Sequence, residues 1–193
     1  MEKTREGTPS GARERILEAA YQLFSRRGVR AVGIDQIIAT SSVSRMTLYR
    51  HFRSKDDLVM AFLERRERLW TREWLEEKVK QATDDPRGRL LAIFDVFDGW
   101  FQAEDFEGCS FINVLLETAE PSARVQQESV RQLARIRSLV SELAAEAGFA
   151  EPEEFARKWH ILMKGAIVSR AEGDVGAARR AREIGALLLE NSR

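Results

Sequence analysis

A short polar and basic segment, flanked by apolar positions, is the part of this sequence best suited to bind another molecule. Val43, Leu48 and Phe52 recur at a spacing that places them on one face of a short helix. The opposite face then carries hydroxyl, guanidinium and ammonium groups, which suit base edges and phosphate oxygens of a nucleic acid. The candidate contact residues are Ser44, Arg45, Met46, Thr47, Tyr49, Arg50 and Lys55.

These candidate residues differ in what they can reach. Arg45 and Thr47 lie near the start of the helix, where side chains reach base edges in a major groove. Tyr49, Arg50 and Lys55 lie where they suit the phosphate oxygens that flank the groove. A packing role for the ring of Tyr49 is an equally open interpretation.

The charge of the chain is divided unevenly along its length. The 193 residues carry 31 basic and 31 acidic side chains, but residues 1–55 hold 11 basic against 5 acidic ones, a net charge of +6. The remainder holds 20 against 26, a net charge of −6. Because a basic segment is attracted to a polyanion and an acidic one is repelled, this division predicts a nucleic-acid-binding head and a body with another task. Chance variation of the surface is the alternative.

Helical periodicity, interrupted by glycine and proline, extends along most of the chain. It predicts nine helices and no strand, beginning with a helix from Ser10 to the glycine at position 28. A long helix over about 57–81 is expected to join head to body. The predicted fold is all-α, with a disordered tail at 1–9, a three-helix nucleic-acid-binding head at 10–56 and a larger helical body at 57–193.

The order and spacing of residues 12–60 resemble the TetR family of helix-turn-helix transcriptional regulators. The run V-S-x-x-T-L-Y-x-H-F-x-S-K-x-D-L, from Val43 to Leu58, is similar to the family's recognition-helix region. The run R-x-x-I-L-x-A-A-x-x-L-F, from Arg13 to Phe24, is similar to its first helix. The resemblance implies a homodimer that places two recognition helices about 34–36 Å apart on palindromic, double-stranded operator DNA and responds to a small-molecule effector.

Two positions depart from the family's pattern. The turn usually reads A-G-V-S, whereas Ser41 and Ser42 stand here, so Ser42 is expected in a conformation that glycine adopts more easily. Gly33 stands where the second helix often has a Thr or Ser cap, which predicts weaker capping and one phosphate contact fewer. The recognition helix keeps a cap candidate in Ser44, whose hydroxyl can instead donate to a phosphate.

The resemblance also implies that the last two helices pair with their copies in a second subunit. Small side chains at helical spacing would let two backbones approach closely, and larger apolar side chains on the preceding helix would fill the contact. Packing of the same stripes inside one subunit is the alternative. The predicted interface residues are Trp159, Leu162, Met163, Ala166, Ala177, Ala178, Ala181, Ile184, Gly185 and Leu188.

Aromatic side chains are concentrated in the body, where the resemblance implies an effector pocket. An apolar or aromatic ligand would suit them, although ordinary core packing is the alternative for each residue. The predicted pocket residues are Trp70, Trp74, Phe97, Trp100, Phe101, Cys109, Phe111, Asn113, Glu117 and Met163, with Phe94 and His160 as further candidates.

The single cysteine suggests a second way to sense a signal. Cys109 follows Gly108 at a predicted loop-to-helix junction, where a helix N-terminus can lower a thiol pKa. Some family members with a cysteine in a similar Gly-Cys context respond to electrophiles or oxidants, so the resemblance implies a redox-sensing regulator as an alternative function. Against it stand the nearby Glu107, which would raise the pKa, and the tendency of single cysteines to be buried and inert.

Several other classes of protein are set aside. One cysteine leaves no internal disulfide, and two histidines offer no metal-ligand cluster, so neither metal nor cofactor is expected. No apolar run resembles a membrane span or a secretory signal, which predicts a cytoplasmic protein. No catalytic motif is present, so an enzyme is not expected. A helical module whose basic head binds an acidic protein is the remaining alternative. Within the family, a repressor released by its effector is the commonest arrangement, with activation also open.

Overall fold

The computed structural model describes residues 11–118 and 123–191. In these ranges the chain forms nine helices and no strand, which confirms the all-α prediction. The predicted tail at 1–9, the Ser10 cap and the helix start at Pro121 and Ser122 lie outside the described residues.

The head contains α1 (Gly11–Arg27), α2 (Ile34–Ser41) and α3 (Arg45–His51). Each helix contributes a fully buried side chain to a shared core, namely Ile16, Ile37 and Leu48. Burying such a side chain contributes roughly 1.5–3 kcal/mol, so these apolar positions hold the three short helices together. Their opposite faces are left to solvent.

The turns of the head agree with both departures from the family pattern. Ser42 follows α2 with φ 53° and ψ 42°, the left-handed conformation expected for a residue that replaces glycine. Gly33 precedes α2 without a side-chain cap, and its N–H instead donates to Oε1 of Gln36 at 3.1 Å. The capping of α2 is therefore reduced to one side-chain bond.

A long helix, α4, leads from the head into the body. It begins with Lys55–Arg66, continues as a π-helical stretch, Glu67–Glu76, and ends with Glu77–Ala82. Ser54 caps its start, because its hydroxyl accepts the N–H of Asp57 at 3.1 Å. Helix α4 thus begins two residues before the predicted position and ends one residue after it.

Helices α1 and α4 are joined by an apolar contact and an ionic one. The ring of Phe62 on α4 packs edge-on against Tyr21 and Phe24 of α1 at centroid distances of 5.6 and 5.5 Å. The guanidinium of Arg65 donates to Glu14 at 2.5 Å and to Glu18 at 2.7 Å. Since this guanidinium is mostly buried, the paired acids compensate a charge that would otherwise be costly.

Five further helices build the body around α4. Helix α7 packs against α6, α5 and α8, while α9 packs against α5 and α8. Large aromatic side chains fill the space between them, and Trp159 of α8 packs on Phe94 of α5 with centroids 5.2 Å apart. The five helices are α5 (Pro86–Phe101), α6 (Ser110–Glu117), α7 (Ala123–Glu146), α8 (Pro152–Ala171) and α9 (Ala177–Asn191).

Sequence signals explain most of the helix ends in the body. Pro86 occupies the first turn of α5 after Asp85, whose carboxylate accepts the N–H of Gly88 at 2.7 Å. Gly148 and Gly173 follow α7 and α8 with positive φ, as C-terminal glycines do. Among the described residues, no helix has the length and apolar character that a membrane crossing requires.

Candidate nucleic-acid interface and effector cleft

The exposed face of α3 carries most of the side chains predicted to contact DNA. Leu48 and Phe52 are buried beneath it, as predicted. Met46 is 81% exposed and Tyr49 is 42% exposed, so the ring of Tyr49 is available to a partner of the head. Arg45 and Arg50 are exposed on the same helix. A contiguous polar and basic surface is therefore presented outward by a helix short enough for a major groove.

Side-chain contacts fix the start of α3. The hydroxyl of Ser44 accepts the N–H of Thr47 at 3.1 Å and lies 2.8 Å from the hydroxyl of Thr47, so the predicted cap is formed. Arg45 forms an ion pair with Asp35 of α2. Both partners are exposed, so this pair contributes little stability but leaves Arg45 beside the start of the recognition helix.

Lys55 is less accessible than the other predicted contact residues. It opens α4 and is half-buried, and burial lowers the pKa of its ammonium group while the carboxylates of Glu117 and Asp56 raise it. Its charge thus lies near the body as well as near the DNA-binding face. The proximity of Glu117 could not be read from the sequence, because 62 residues separate the two.

Three of the predicted pocket residues line a cleft between α4 and α5. Trp70 and Trp74, from the π-helical stretch, meet Trp100 with ring centroids 5.2 and 6.1 Å away, and the two α4 rings are 5.2 Å apart. This cleft, called the tryptophan cleft below, has a volume of about 890 Å³ and is open to solvent. Phe97 lies behind the tryptophans, fully buried, with its centroid 5.6 Å from that of Trp100.

Polar residues that sequence reasoning did not assign to the pocket complete the walls of this cleft. Arg66 donates to the hydroxyl of Tyr21 at 3.0 Å at one end. Asp95, Asp105 and Glu107 place three carboxylates along the other walls. Among these residues, only Glu107 had a sequence signal that pointed to the site, namely its position in the predicted loop before Cys109. Desolvation raises the pKa of Glu107, and the nearby guanidinium groups of Arg66 and Arg26 lower it.

The other predicted pocket residues lie away from the cleft. Phe101, Phe111 and Met163 are buried in the core of the body. Cys109 is also buried, and this burial raises the pKa of its thiol despite its place at the N-terminus of α6. The core-packing alternative describes these residues better, because a helical body needs large side chains wherever its helices meet.

Asn113 and Glu117 face the head instead of the aromatic side chains. Asn113 lines a second cleft, of about 790 Å³, between the end of α1 and the α5–α6 loop. The carboxylate of Glu117 accepts the N–H of Arg30 at 2.9 Å. A β-carbon on Gly28 would lie 2.1 Å from Oε1 of Glu117, so only glycine leaves room for this contact. Glu117 therefore ties the body to the loop that follows α1.

A second acid joins head and body near the same loop. Glu107 lies 3.6 Å from the guanidinium of Arg26 at the end of α1. This pair is looser than a good charge-assisted hydrogen bond, and Arg26 is largely exposed. Glu107 thus borders both the tryptophan cleft and the head.

Most of the predicted dimer residues pack inside the subunit. Gly185 lies against Trp159 and Phe94, where an added β-carbon would come within 2.8 Å of the Trp159 ring. Leu162 and Leu188 are partly buried, and of the predicted set only Ile184 is strongly exposed. Helices that pack on two sides have two apolar stripes, and periodicity alone did not show which one faces inward. The inward-facing residues are Trp159, Met163, Ala166, Ala177, Ala178, Ala181 and Gly185.

A different stripe of apolar side chains is exposed on the same two helices. On α8, Ile161 is 67% exposed and Val168 is 47% exposed, two helical turns apart. On α9, Ile184 is 54% exposed and Leu187 is 59% exposed. Gly165 lies between the two α8 residues, with open space where a side chain would be. These four side chains and Gly165 are called the outer stripe below.

His160 is buried on α8, and no hydrogen-bond partner satisfies its Nδ1 atom within the described residues. Desolvation, with the positive charges of Lys164 and Arg137, lowers the pKa of its imidazole to about 4. His160 is thus a neutral core residue at pH 7. Within the described ranges, no three His, Cys, Asp or Glu side chains are grouped to hold a metal ion.

Known proteins resemble this chain most clearly in the head. Residues 16–62 match the family described as bacterial regulatory proteins, tetR family. The chain is 34% identical over 117 residues to the HTH-type transcriptional activator FasR of Mycolicibacterium smegmatis. This match covers 59% of this chain and 51% of FasR. It is 32% identical over 72 residues to the HTH-type transcriptional regulator QacR of Staphylococcus aureus, covering 37% and 38% of the two chains. The matches thus span about half the length of these relatives or less.

The body is matched by solved structures. The fold superimposes on SCO4454, a TetR-family transcriptional regulator from Streptomyces coelicolor, with a TM-score of 0.83 and 29% identity. That superposition covers 95% of this chain and 91% of the other. Together with the matched head, it shows that this chain has the helix-turn-helix head and the fold of TetR-family transcriptional regulators.

Proposed function

We propose that this protein is a homodimeric repressor that binds palindromic operator DNA through α3 and is released by a small organic effector. The proposal is carried by the outward face of α3, where Arg45, Met46, Tyr49 and Arg50 are exposed above a buried apolar side. A protein of this kind acts on chromosomal DNA in the cytoplasm and has no catalytic role. The division into a head at 10–56 and a body at 57–193 is part of the same proposal.

The geometry of the head supports DNA over an acidic protein as its partner. A capped helix with one exposed side fits a major groove, where Arg45 and Thr47 are placed to contact base edges. Tyr49 and Arg50 suit the flanking phosphates. Binding to an acidic protein surface would depend only on the positive charges of the head. Binding that is selective for a base sequence therefore distinguishes DNA from an acidic protein as the partner.

Replacing Arg45 and Tyr49 together with alanine is expected to weaken operator binding by at least about tenfold, because each specific contact is typically worth about 1–3 kcal/mol. The measurement is selection of genomic fragments by purified protein, followed by titration of the enriched fragment at several salt concentrations. Arg157→Ala, an exposed substitution on α8, is the matched control. Failure of the unaltered protein to enrich any palindrome at low salt would contradict the proposal.

The outer stripe is the surface proposed to hold the two subunits together. It joins exposed side chains of α8 and α9, and those two helices also pack on each other within the subunit. Pairing with a second copy would bury Ile161, Val168, Ile184 and Leu187 in a four-helix contact. The absence of a side chain at Gly165 would let the two α8 backbones come close.

Replacing Ile184 with glutamate is expected to weaken dimerisation by at least about tenfold, because it removes an apolar side chain worth roughly 1.5–3 kcal/mol and buries a charge. Sedimentation velocity over a range of protein concentrations measures the change. Val130→Glu on α7 is the control, since Val130 is 52% exposed but lies outside the outer stripe. Equal dissociation constants for both variants would place the interface elsewhere.

The tryptophan cleft is the proposed effector site. Two of its indole rings, those of Trp70 and Trp74, lie on α4, the helix that leaves the head, so a ligand there acts on the connection between head and body. A ligand that prefers a subunit arrangement with mismatched head spacing would shift the population away from operator DNA. A ligand that prefers the matched spacing would instead strengthen operator binding, and titration of the operator with and without the ligand distinguishes the two.

Redox sensing through Cys109 receives less support than a bound effector. The thiol is 6% exposed, and burial raises its pKa, so little reactive thiolate forms at neutral pH. The positive end of α6 does not reverse this effect. The bound-effector mechanism is therefore preferred.

A further inference from the structure

We propose that Asp35 determines the operator specificity of the head, because it orients Arg45 so that the two side chains together read a G·C base pair in each half-site. This inference rests on the proposed DNA-binding function of α3 and names a base pair that the operator must contain. It is carried by an ion pair that joins the two helices of the helix-turn-helix on their exposed side.

The ion pair connects the first turns of α2 and α3. Asp35 is the second residue of α2, Arg45 is the first residue of α3, and Nη2 of Arg45 donates to Oδ1 of Asp35. The Arg45 side chain is 60% exposed and the Asp35 side chain is 79% exposed, so the pair contributes little to stability. Its effect is instead to fix the direction of a long side chain that would otherwise rotate about several bonds.

The paired guanidinium keeps the donors that a guanine requires. Arginine has several N–H donors in a rigid planar arrangement, and Asp35 engages only one of the nitrogen atoms that carry them. The remaining donors suffice for O6 and N7 of guanine, the commonest specific contact of arginine in a major groove. A guanidinium that is already oriented loses less freedom on binding, so the orientation set by Asp35 favours the base edge that it matches.

The carboxylate extends the selectivity to the whole base pair. In the major groove a G·C pair presents the acceptors N7 and O6 beside the N4 donor of cytosine. Arg45 and Asp35 present donors beside an acceptor, which is the complementary pattern. An A·T pair presents the N6 donor of adenine beside the O4 acceptor of thymine, so both groups of the protein would meet a group of their own kind.

An acidic residue on this face is unfavourable for binding to DNA in general. Asp35 is the only charged residue of α2, and α3 adds the basic residues Arg45, Arg50 and His51. The carboxylate offsets one of the two guanidinium charges of α3 and is repelled by phosphates. Asp35 therefore lowers affinity for DNA of any sequence while it raises discrimination between sequences.

Selection from a random-sequence DNA library by the full-length protein, followed by titration of operators with single base-pair changes, tests this inference. The unaltered protein is expected to prefer guanine by at least about tenfold at one position of each half-site. Arg45→Ala should abolish that preference. Asp35→Asn should reduce it several-fold at the same position only, while it tightens binding to unrelated DNA.

Asp56→Asn is the matched control, because it removes the same charge from the start of α4 and should keep every base preference. An unchanged guanine preference in Asp35→Asn would overturn the inference, as would a change at a position that Arg45→Ala does not affect. A protein that selects a palindrome but gives either result refutes only the role of Asp35. A protein that selects no sequence refutes the proposed function.

Discussion

Replacing Gly28 with alanine is expected to destabilise the protein by about 3 kcal/mol. Gly28 has φ +78°, where an alanine costs roughly 1–2 kcal/mol, and its added β-carbon would lie 2.1 Å from Oε1 of Glu117. Glu117 would have to move, which breaks the 2.9 Å bond from the N–H of Arg30, a charge-assisted bond of about 1.5–3 kcal/mol. Urea unfolding followed by circular dichroism measures the loss.

Gly148→Ala is the matched control for this prediction. Gly148 has φ +80° but nothing within 4 Å of an added β-carbon, so only the backbone cost of about 1–2 kcal/mol applies. The Gly28→Ala, Glu117→Ala double variant should lose less stability than the two single variants together, because the steric conflict has been removed. Equal losses for Gly28→Ala and Gly148→Ala would show that Glu117 moves aside without cost.

Lowering the pH from 7.5 to 4.5 is expected to remove about 2–3 kcal/mol of stability through His160 alone. The folded protein lowers the pKa of this imidazole from 6.5 to about 4, so the unfolded chain binds the proton more readily. Stability from this group is therefore fully present above pH 6.5 and is lost as the pH falls towards 4. Lys164 and Arg137 contribute, because a charged imidazole would be repelled by both.

Urea unfolding at both pH values tests this prediction, with the difference between variants as the measured quantity. His160→Gln should have a shallower pH dependence than the unaltered protein, whereas His51→Gln, at an exposed position of α3, should have the same dependence. Carboxylates that titrate below pH 5 affect all three proteins alike. The same slope in His160→Gln and the unaltered protein would contradict the burial of a neutral imidazole.

Local signals account for the parts of the structure that sequence reasoning predicted correctly. Apolar spacing identified the buried side of α3, and Ser44 forms the predicted cap of that helix. The left-handed backbone of Ser42 was foreseen because glycine usually stands there. Such features depend on residues within one or two turns of each other, which is the range in which a sequence pattern has physical meaning.

Packing between distant segments accounts for what sequence reasoning missed. Trp159 and Gly185 were expected at a subunit interface but pack on each other within the subunit, since both helices have apolar residues on two sides. Glu117 was expected in a pocket, yet it contacts the N–H of Arg30, 87 residues away. No periodicity encodes such a partner. The tryptophan cleft was predicted only in its aromatic part, because its acids are distributed over α5 and the following loop.

The contacts of Glu107 and Glu117 limit how the head can move relative to the body. A rigid unit held at one point turns freely, one held at two points turns about a single axis, and one held at three is fixed. The head is held by α4, by Glu117 at Arg30 and by Glu107 at Arg26. Helix α4 is itself joined to α1 by Phe62 and Arg65, so releasing Glu107 alone would not free the head to rotate. Any change in the direction of α3 would therefore be accompanied by movement of α4, the helix that carries Trp70 and Trp74.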